Sequence, residues 1–152
     1  MNCRVYYFTL TGNSKRIAEK IADKAGCGVS QITDDKNWKG LFGFLRGGFY
    51  AMRFKMTNPS VAPEADFSEF DRVLVVGPVW AGNAAPAVYS LLDREKSNLS
   101  KVCLVLSSGG GDTVPVFRRL ESRIGALPFK FGIPQNKVNE DEVAGQAAGV
   151  LK

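Results

Sequence analysis

Two short apolar runs constrain the fold of this chain more than any other feature of its sequence. Residues 72–77 read Arg-Val-Leu-Val-Val-Gly and residues 101–106 read Lys-Val-Cys-Leu-Val-Leu, so neither run alternates between apolar and polar positions. A strand that is covered on both faces has this pattern, which is typical of parallel sheets with helices on either side. The two runs therefore predict a parallel sheet that is buried on both faces.

Weaker strand signals and helical patterns alternate along the rest of the chain. Further strands are predicted at 4–8, 29–32 and 129–133, and helices are predicted near 13–25, 85–93, 115–124 and 139–151. The last helix has the signature of a capping box, because Asn139 is followed three residues later by Glu142. This alternation over 152 residues predicts one domain, a three-layer α/β/α sandwich with a five-stranded parallel sheet.

The composition excludes several classes of chemistry. The chain has no histidine, so Ser-His-Asp and Cys-His mechanisms are excluded, and a cofactor is expected to supply any redox or transfer chemistry. Three scattered cysteines, Cys3, Cys27 and Cys103, lack the ligand spacing of a zinc site, so no metal is expected. They indicate inert thiols in a reducing, cytoplasmic compartment. We also expect no signal peptide and no membrane span.

Three loops of small and hydroxyl-bearing residues follow the predicted strands. In parallel sheets, ligands bind beyond the carboxyl ends of the strands, where the strand order switches direction. The candidate binding residues are Thr9, Leu10, Thr11, Gly12, Asn13 and Ser14 in the first loop, Pro78, Val79, Trp80, Ala81, Gly82 and Asn83 in the second, and Ser107, Ser108, Gly109, Gly110, Gly111 and Asp112 in the third. Converging at one edge, they would form a polar pocket beside a slot lined by Trp80.

The first loop has the chemistry of an anion site. It joins a strand to a helix, and the first backbone N–H groups of a helix lack partners within the helix and carry partial positive charge. Thr9, Thr11 and Ser14 add hydroxyl groups, and Gly12 permits close approach of the backbone. With the slot beside Trp80, these residues predict a site for a planar ring that carries a phosphate.

With these motifs the chain resembles flavodoxins and related FMN-binding flavodoxin-like proteins over nearly its whole length. Residues 9–14 are similar to the T-x-T-G-x-T/S phosphate loop of the family, and Pro78–Gly82 are similar to its second flavin-contacting loop. The resemblance implies that FMN is the cofactor, that the first loop binds its phosphate and that Trp80 stacks on its isoalloxazine ring. It also implies that the backbone of the second and third loops contacts the polar edge of the ring.

The sequence departs from the family pattern in three respects. The third loop is a triglycine and lacks the second aromatic residue that many flavodoxins have there. Ala81 stands at the position after the aromatic residue, where many flavodoxins have glycine. The chain carries a formal charge of +5, whereas the best-known flavodoxins are strongly acidic.

A basic, aromatic-rich crossover segment spans residues 36–63. It contains five cations, six aromatic residues and no acid, so the rest of the chain has equal numbers of cations and acids. Apolar residues recur at helical spacing in it, namely Leu41, Leu45, Phe49, Met52 and Met56. This pattern predicts a crossover helix that packs on the sheet, although Gly43, Gly47 and Gly48 oppose a helix. The alternatives are a lid over the cofactor, a partner-docking surface, or an amphipathic patch for anionic membranes.

The sequence supports three functions. The first is electron transfer through bound FMN, with a redox partner protein or a small acceptor, and the positive charge favours a partner with an acidic surface. The second is a small NAD(P)H-dependent FMN reductase or quinone reductase, for which the triglycine loop leaves room over the ring. The third is a non-catalytic partner-binding module of the same fold. Nothing in the sequence matches a nucleic-acid-binding motif.

Overall fold

The computed structural model describes residues 1–62 and 66–152, so Pro63, the last residue of the basic segment, lies outside the described residues. In chain order the elements are β1 (Cys3–Tyr7), α1 (Asn13–Ala25), β2 (Gly28–Thr33), α2 (Gly40–Met52), β3 (Ser60–Val61), β4 (Arg72–Trp80), β5 (Asn83–Ala84), α3 (Pro86–Arg94), β6 (Val102–Ser108), α4 (Val114–Ile124), β7 (Phe129–Pro134) and α5 (Glu140–Val150). Among these helices, none is long and apolar enough to cross a bilayer.

The sheet confirms the predicted architecture. The strand order is β3-β2-β1-β4-β6-β7. The five longer strands, β2, β1, β4, β6 and β7, are parallel to one another. Two strands of two residues each, β3 and β5, were not predicted, and they pair antiparallel with β2 and β4. The chain moves outward from β1 to β2 and then crosses to β4 on the other side of β1, so the order switches between β1 and β4.

Two hydrophobic cores cover the two faces of the sheet. Alternate strand residues such as Val5 and Leu74 pack against α1 and α5 on one face. The residues between them, such as Val73 and Leu104, pack against α3 and α4 on the other. These apolar runs lack alternation because both sides of each central strand are buried.

The structure extends β4 beyond its predicted end. Pro78, Val79 and Trp80 were expected in a loop, but they belong to the strand, because Val79 and Trp80 pair with Ala84 and Asn83 in β5. Proline provides no backbone N–H for a ladder. The carbonyl of Pro78 nevertheless accepts a 3.1 Å hydrogen bond from the N–H of Ala85. The second loop is therefore a hairpin with a two-residue turn, Ala81-Gly82.

Helix α2 packs through its smallest residues. Gly43, Gly47 and Ala51, spaced by four, are its buried residues, and a Cβ added at Gly47 would lie 3.1 Å from two ring carbons of Trp80. A helix forms despite the glycines, but the predicted apolar stripe is not its packing face. All five residues of that stripe, from Leu41 to Met56, are exposed.

Two of the cysteines are joined. The expectation of three inert thiols is wrong for Cys3 and Cys27, which form a disulfide with their Cα atoms 5.5 Å apart. The pairing of β1 with β2 brings them together, because Arg4 is opposite Gly28 in the register. The prediction of a reducing, cytoplasmic compartment was based on unpaired thiols, and the disulfide removes that basis. The compartment stays a prediction. Cys103 is buried in β6, and burial raises the pKa of its thiol to about 12.

Candidate functional site

The first loop turns sharply into helix α1 at the switch point of the sheet. Gly12 adopts a left-handed conformation with φ of 98°, and its N–H donates a 2.8 Å hydrogen bond to Oγ1 of Thr9. Among the described residues, no side chain caps the first turn of α1. The hydroxyl of Ser14 is buried and lies 3.5 Å from that of Ser107 in the third loop. The helix start thus presents uncapped N–H groups beside hydroxyl groups from two loops.

The third loop is held by its own side chains. Oγ of Ser108 donates a 2.8 Å hydrogen bond to the carbonyl of Gly111, and Oδ1 of Asp112 accepts one of 3.0 Å from the N–H of Val114. A Cβ added at Gly109 would meet no atom within 4 Å. The loop therefore has a defined path and leaves open space next to Gly109.

Trp80 stands at the centre of an aromatic cluster. Its ring makes edge-to-face contacts with Phe8 and Trp38, with ring centroids 5.6 and 5.7 Å apart. The indole N–H of Trp38 donates a 2.8 Å hydrogen bond to Oδ2 of Asp34, which fixes the buried ring of Trp38. Trp80 itself is half-buried, so part of its ring is left for a ligand.

The three loops meet around a cavity of about 250 Å³, which we call the hydroxyl-lined cavity. The predicted residues that line it are Thr9, Leu10, Thr11, Asn13, Ser14, Pro78, Val79, Trp80, Ser107, Ser108 and Gly109. The strand switch between β1 and β4 places the first and second loops side by side, and β6 adds the third. The cavity therefore combines the uncapped start of α1 with an aromatic wall.

A second cavity of about 460 Å³, the apolar cavity, lies beside the first, between α2 and the β4–β5 hairpin. The two share Leu10, Phe44, Val79 and Trp80 in their walls. Ala81 lines the apolar cavity but not the hydroxyl-lined cavity. Helix α2 thus contributes to both spaces through Phe44, which the sequence placed only in the basic segment.

Charged side chains from the first and last helices line the hydroxyl-lined cavity. The Glu140 carboxylate accepts hydrogen bonds of 2.7 and 3.3 Å from Arg16 and one of 2.7 Å from Lys20. The Arg16 guanidinium, assisted by Lys20, lowers the pKa of the Glu140 carboxyl to about 2. Glu140 therefore stays ionised near neutral pH and offsets part of the positive charge beside the cavity.

Some predicted residues take other positions. Asn83 is buried: its Nδ2 donates to the carbonyl of Ala51 at 3.0 Å, and its Oδ1 accepts from Nε of Arg119 at 2.9 Å. Arg119 also donates to the carbonyl of Gly82. Asn83 and Gly82 thus join the hairpin to α2 and α4. Gly12, Gly110, Gly111 and Asp112 shape their loops and do not line either cavity.

Other lining residues were not among the sequence candidates. They are Arg16, Ile17, Phe44, Ile133, Gln135 and Glu140 in the hydroxyl-lined cavity. Arg16 and Ile17 lie in α1, directly after Lys15 and the first loop, while Gln135 directly follows β7 and Glu140 begins α5. Periodicity gave no signal for the last two, because their proximity to the first loop depends on helix packing. In the described ranges no cluster of three or more His, Cys, Asp and Glu side chains could hold a metal ion.

Comparisons with known proteins establish the fold through structure alone. No protein-family model matches the sequence, and no curated protein matches it. Among solved structures, a flavoprotein in complex with FMN from Lactobacillus acidophilus is similar with a TM-score of 0.74 at 17% identity, covering 94% of this chain and 98% of that one. A flavodoxin from the domain Archaea has a TM-score of 0.57 at 12% identity, covering 99% of each chain.

A third solved structure, described as a flavoprotein of Bacteroides eggerthii, has a TM-score of 0.76 at 20% identity. The match covers 99% of this chain and 98% of that one. At such identities the likeness shows the shared architecture, which is the flavodoxin-like α/β sandwich expected from the sequence.

Proposed function

We propose that this protein is an FMN-binding electron-transfer protein of the flavodoxin kind. The observation that carries the proposal is the hydroxyl-lined cavity, in which the uncapped start of α1, the ring of Trp80 and the third loop meet at the strand switch. A ligand with a phosphate at one end and a planar apolar ring at the other matches this arrangement. The FMN complex of the Lactobacillus acidophilus flavoprotein, which shares the fold, supports the choice of FMN.

The donor set of the cavity fits FMN. The N–H groups at the start of α1 and the hydroxyls of Thr9, Thr11 and Ser14 would hold the phosphate. Trp80 would cover one face of the ring, and the backbone of the second and third loops would contact its polar edge. Bound FMN supplies one- and two-electron redox chemistry. The chain supplies binding, orientation and a partly closed site, and the electron acceptor would be a partner protein or a small molecule.

Replacing Thr11 by Glu tests the phosphate site. The new carboxylate would lie next to the phosphate, and the repulsion should weaken FMN binding at least about a hundredfold, measured by flavin fluorescence titration. Thr11→Ser retains a hydroxyl and should bind FMN nearly as wild type does. Ser97→Glu, on an exposed position away from the cavity, controls for added charge. Riboflavin should bind more weakly than FMN, and Thr11→Glu should not weaken it further.

If Thr11→Glu binds FMN as tightly as the wild-type protein, the phosphate is not in this loop. A purified protein that is colourless and takes up no FMN would contradict the whole proposal. That result would favour the non-catalytic partner-binding module of the same fold.

A specific observation favours a second candidate, the small NAD(P)H-dependent reductase. The apolar cavity shares four residues with the hydroxyl-lined cavity, so a second planar molecule would have room next to the ring of a bound flavin. Measuring NAD(P)H oxidation by the FMN-loaded protein with a quinone as acceptor separates the two functions. An electron carrier should show no turnover until a partner reductase is added, whereas a reductase should turn over alone.

A further inference from the structure

The outer face of α2 is an unusually apolar surface. It consists of Leu41, Phe42, Phe44, Leu45, Phe49 and Met52, all exposed. Phe42 is 87% exposed, and Leu41 and Phe44 are 71% and 72% exposed. Single exposed apolar side chains are ordinary, but a contiguous group of this kind marks an interaction surface.

The fold fixes this face outward. Because α2 contacts the domain through Gly43, Gly47 and Ala51, its backbone lies against Trp38 and Trp80. A Cβ added at Gly43 would overlap the carbonyl of Trp38. The helix therefore has no room to rotate its large side chains inward, and their exposure follows from the packing.

Three cations, Arg46 in α2 and Lys39 and Arg53 at its two ends, lie along one margin of the apolar face. At about 100° per residue, the six apolar side chains cover an arc of roughly 160°, and Arg53, Arg46 and then Lys39 follow at its edge. All three are exposed, as is Lys55 just beyond the helix. A helix with a wide apolar face and adjoining basic residues is the arrangement that lies in a membrane interface.

The charge around this face is of one sign. Residues 36–62 include all five cations that account for the net charge of +5, and no acid. Within the described parts of the chain, no carboxylate lies within 4 Å of the ammonium or guanidinium nitrogens of Lys39, Arg46, Arg53 or Lys55. Arg46 donates a 2.7 Å hydrogen bond to the carbonyl of Asn37, and Arg53 and Lys55 lie over the ring of Phe49. None of these contacts neutralises a charge, so the four cations present an uncompensated positive charge to an external anionic surface.

We infer that the outer face of α2 docks on the surface of an anionic phospholipid bilayer. Its apolar side chains enter the interface, while Lys39, Arg46, Arg53 and Lys55 contact lipid phosphates. A fluid bilayer adapts to a convex apolar ridge, whereas a protein partner must offer a groove of matching shape. Phe44, Leu45, Phe49 and Met52 also line the apolar cavity, whereas Leu41 and Phe42 line neither cavity. The inference is therefore tested at Leu41 and Phe42, whose exposure does not depend on bound FMN.

Sedimentation with lipid vesicles tests the inference on the full chain. The wild-type protein should bind vesicles of phosphatidylcholine mixed with phosphatidylglycerol at least tenfold more tightly than vesicles of phosphatidylcholine alone, given about fivefold for each cation near the surface. The variant Leu41→Ser/Phe42→Ser should lose about tenfold or more of this binding, since it removes two large apolar side chains. Neither residue lines a cavity, and the thermal unfolding midpoint reports whether the variant is folded.

Matched controls separate the helix from general properties of the protein. Changing Lys39, Arg46, Arg53 and Lys55 to Gln should abolish the preference for anionic vesicles. Changing Lys24, Lys96, Arg118 and Lys137, four exposed cations elsewhere, to Gln lowers the net charge equally and should retain most of the binding. Val114→Ser/Val138→Ser removes exposed apolar residues away from α2 and should have little effect.

Four results would overturn the inference. The first is equal binding to both lipid compositions, or to neither. The second is an equal loss of binding with the α2 and control cation sets. The third is a lipid-independent dimer that Leu41→Ser/Phe42→Ser dissociates, which would assign the face to a second copy of the chain. Retention of the protein only on an acidic protein surface, with no binding to anionic vesicles, would assign the face to a protein partner.

Discussion

Ala81 occupies a backbone conformation that alanine rarely adopts. Trp80 and Asn83 face each other across β4 and β5, so Ala81 and Gly82 form a two-residue turn, with φ of 47° and 79°. Positive φ at both central residues is the mark of a type I′ turn, which favours Asn-Gly or Gly-Gly. Alanine at the first position costs roughly 1–2 kcal/mol, because its Cβ crowds the following carbonyl. The hairpin and its contacts with Arg119 maintain this strain beside Trp80.

Replacing Ala81 by Gly should therefore stabilise the protein. Relief of the left-handed strain, less the extra entropy of glycine in the unfolded chain, should raise the free energy of unfolding by about 0.5–1 kcal/mol. Chemical denaturation measures the change. Ala126→Gly is the control, because Ala126 is exposed and is not among the positive-φ positions. Glycine there should slightly lower the free energy of unfolding. A lower stability for Ala81→Gly would show that the turn is not strained.

At the scale of the element, α2 contains glycines with opposite roles. Gly43 faces the domain, where an added Cβ would overlap the backbone of Trp38. Gly48 lies one residue away from the packing line, and its added Cβ would meet only the Cβ of Ala81, at 3.8 Å. The backbone of Trp38 has little freedom to move, because its ring is buried and hydrogen-bonded to Asp34.

The pair Gly43→Ala and Gly48→Ala tests this packing within one helix. Both changes improve helix propensity by about 1 kcal/mol. Gly48→Ala should keep most of that gain, whereas Gly43→Ala should lower the free energy of unfolding by more than about 1 kcal/mol through overpacking. Denaturant unfolding of the two variants gives the comparison. Equal stabilisation by both would mean that α2 does not pack through Gly43.

At the scale of the whole molecule, Glu140 joins the first helix of the chain to the last. It lies at the start of α5 and binds Arg16 and Lys20 on α1, while Lys20 also pairs with Asp141 at 2.7 Å. The bonds from Arg16 and Lys20 lower the pKa of the Glu140 carboxyl from 4.5 to about 2. A depressed pKa stabilises the fold above the unfolded value of 4.5, and this stabilisation is lost as the pH falls toward 2.

The variant Glu140→Gln should reproduce that pH dependence. Because a quarter of the Glu140 side chain is solvent-exposed, screening limits the loss at neutral pH to about 1 kcal/mol. The difference from wild type should shrink as the pH is lowered from 4.5 to 2, as followed by urea denaturation. Glu19→Gln removes a more exposed carboxylate 4.0 Å from Lys15 and serves as the control, with little expected effect. A loss at pH 2 equal to that at neutral pH would indicate packing rather than charge.

Local sequence determined the five long strands, the helices and the chemistry of the loops, but not the two-residue strands β3 and β5. The unbroken apolar runs specified β4 and β6, since a strand covered on both faces has no polar positions. The periodicity of 13–25 specified α1, and Asn139 caps α5 by accepting a 3.1 Å hydrogen bond from the N–H of Glu142. The hydroxyl residues of the first loop and Trp80 were identified because the sequence places them just after predicted strands, although the structure extends β4 to include Trp80.

Only the tertiary structure decided which surfaces meet. Strand register and helix packing join residues that are far apart in the chain, such as Cys3 and Cys27 or Arg16 and Glu140. The local sequence around these residues contains no signal for either contact. The apolar stripe of α2 has the period of a buried face, yet it lies outward, because the backbone at Gly43 and Gly47 approaches Trp38 and Trp80 more closely than any large side chain allows. Periodicity shows that a helix has two faces, and steric fit against its neighbours selects the one that is buried.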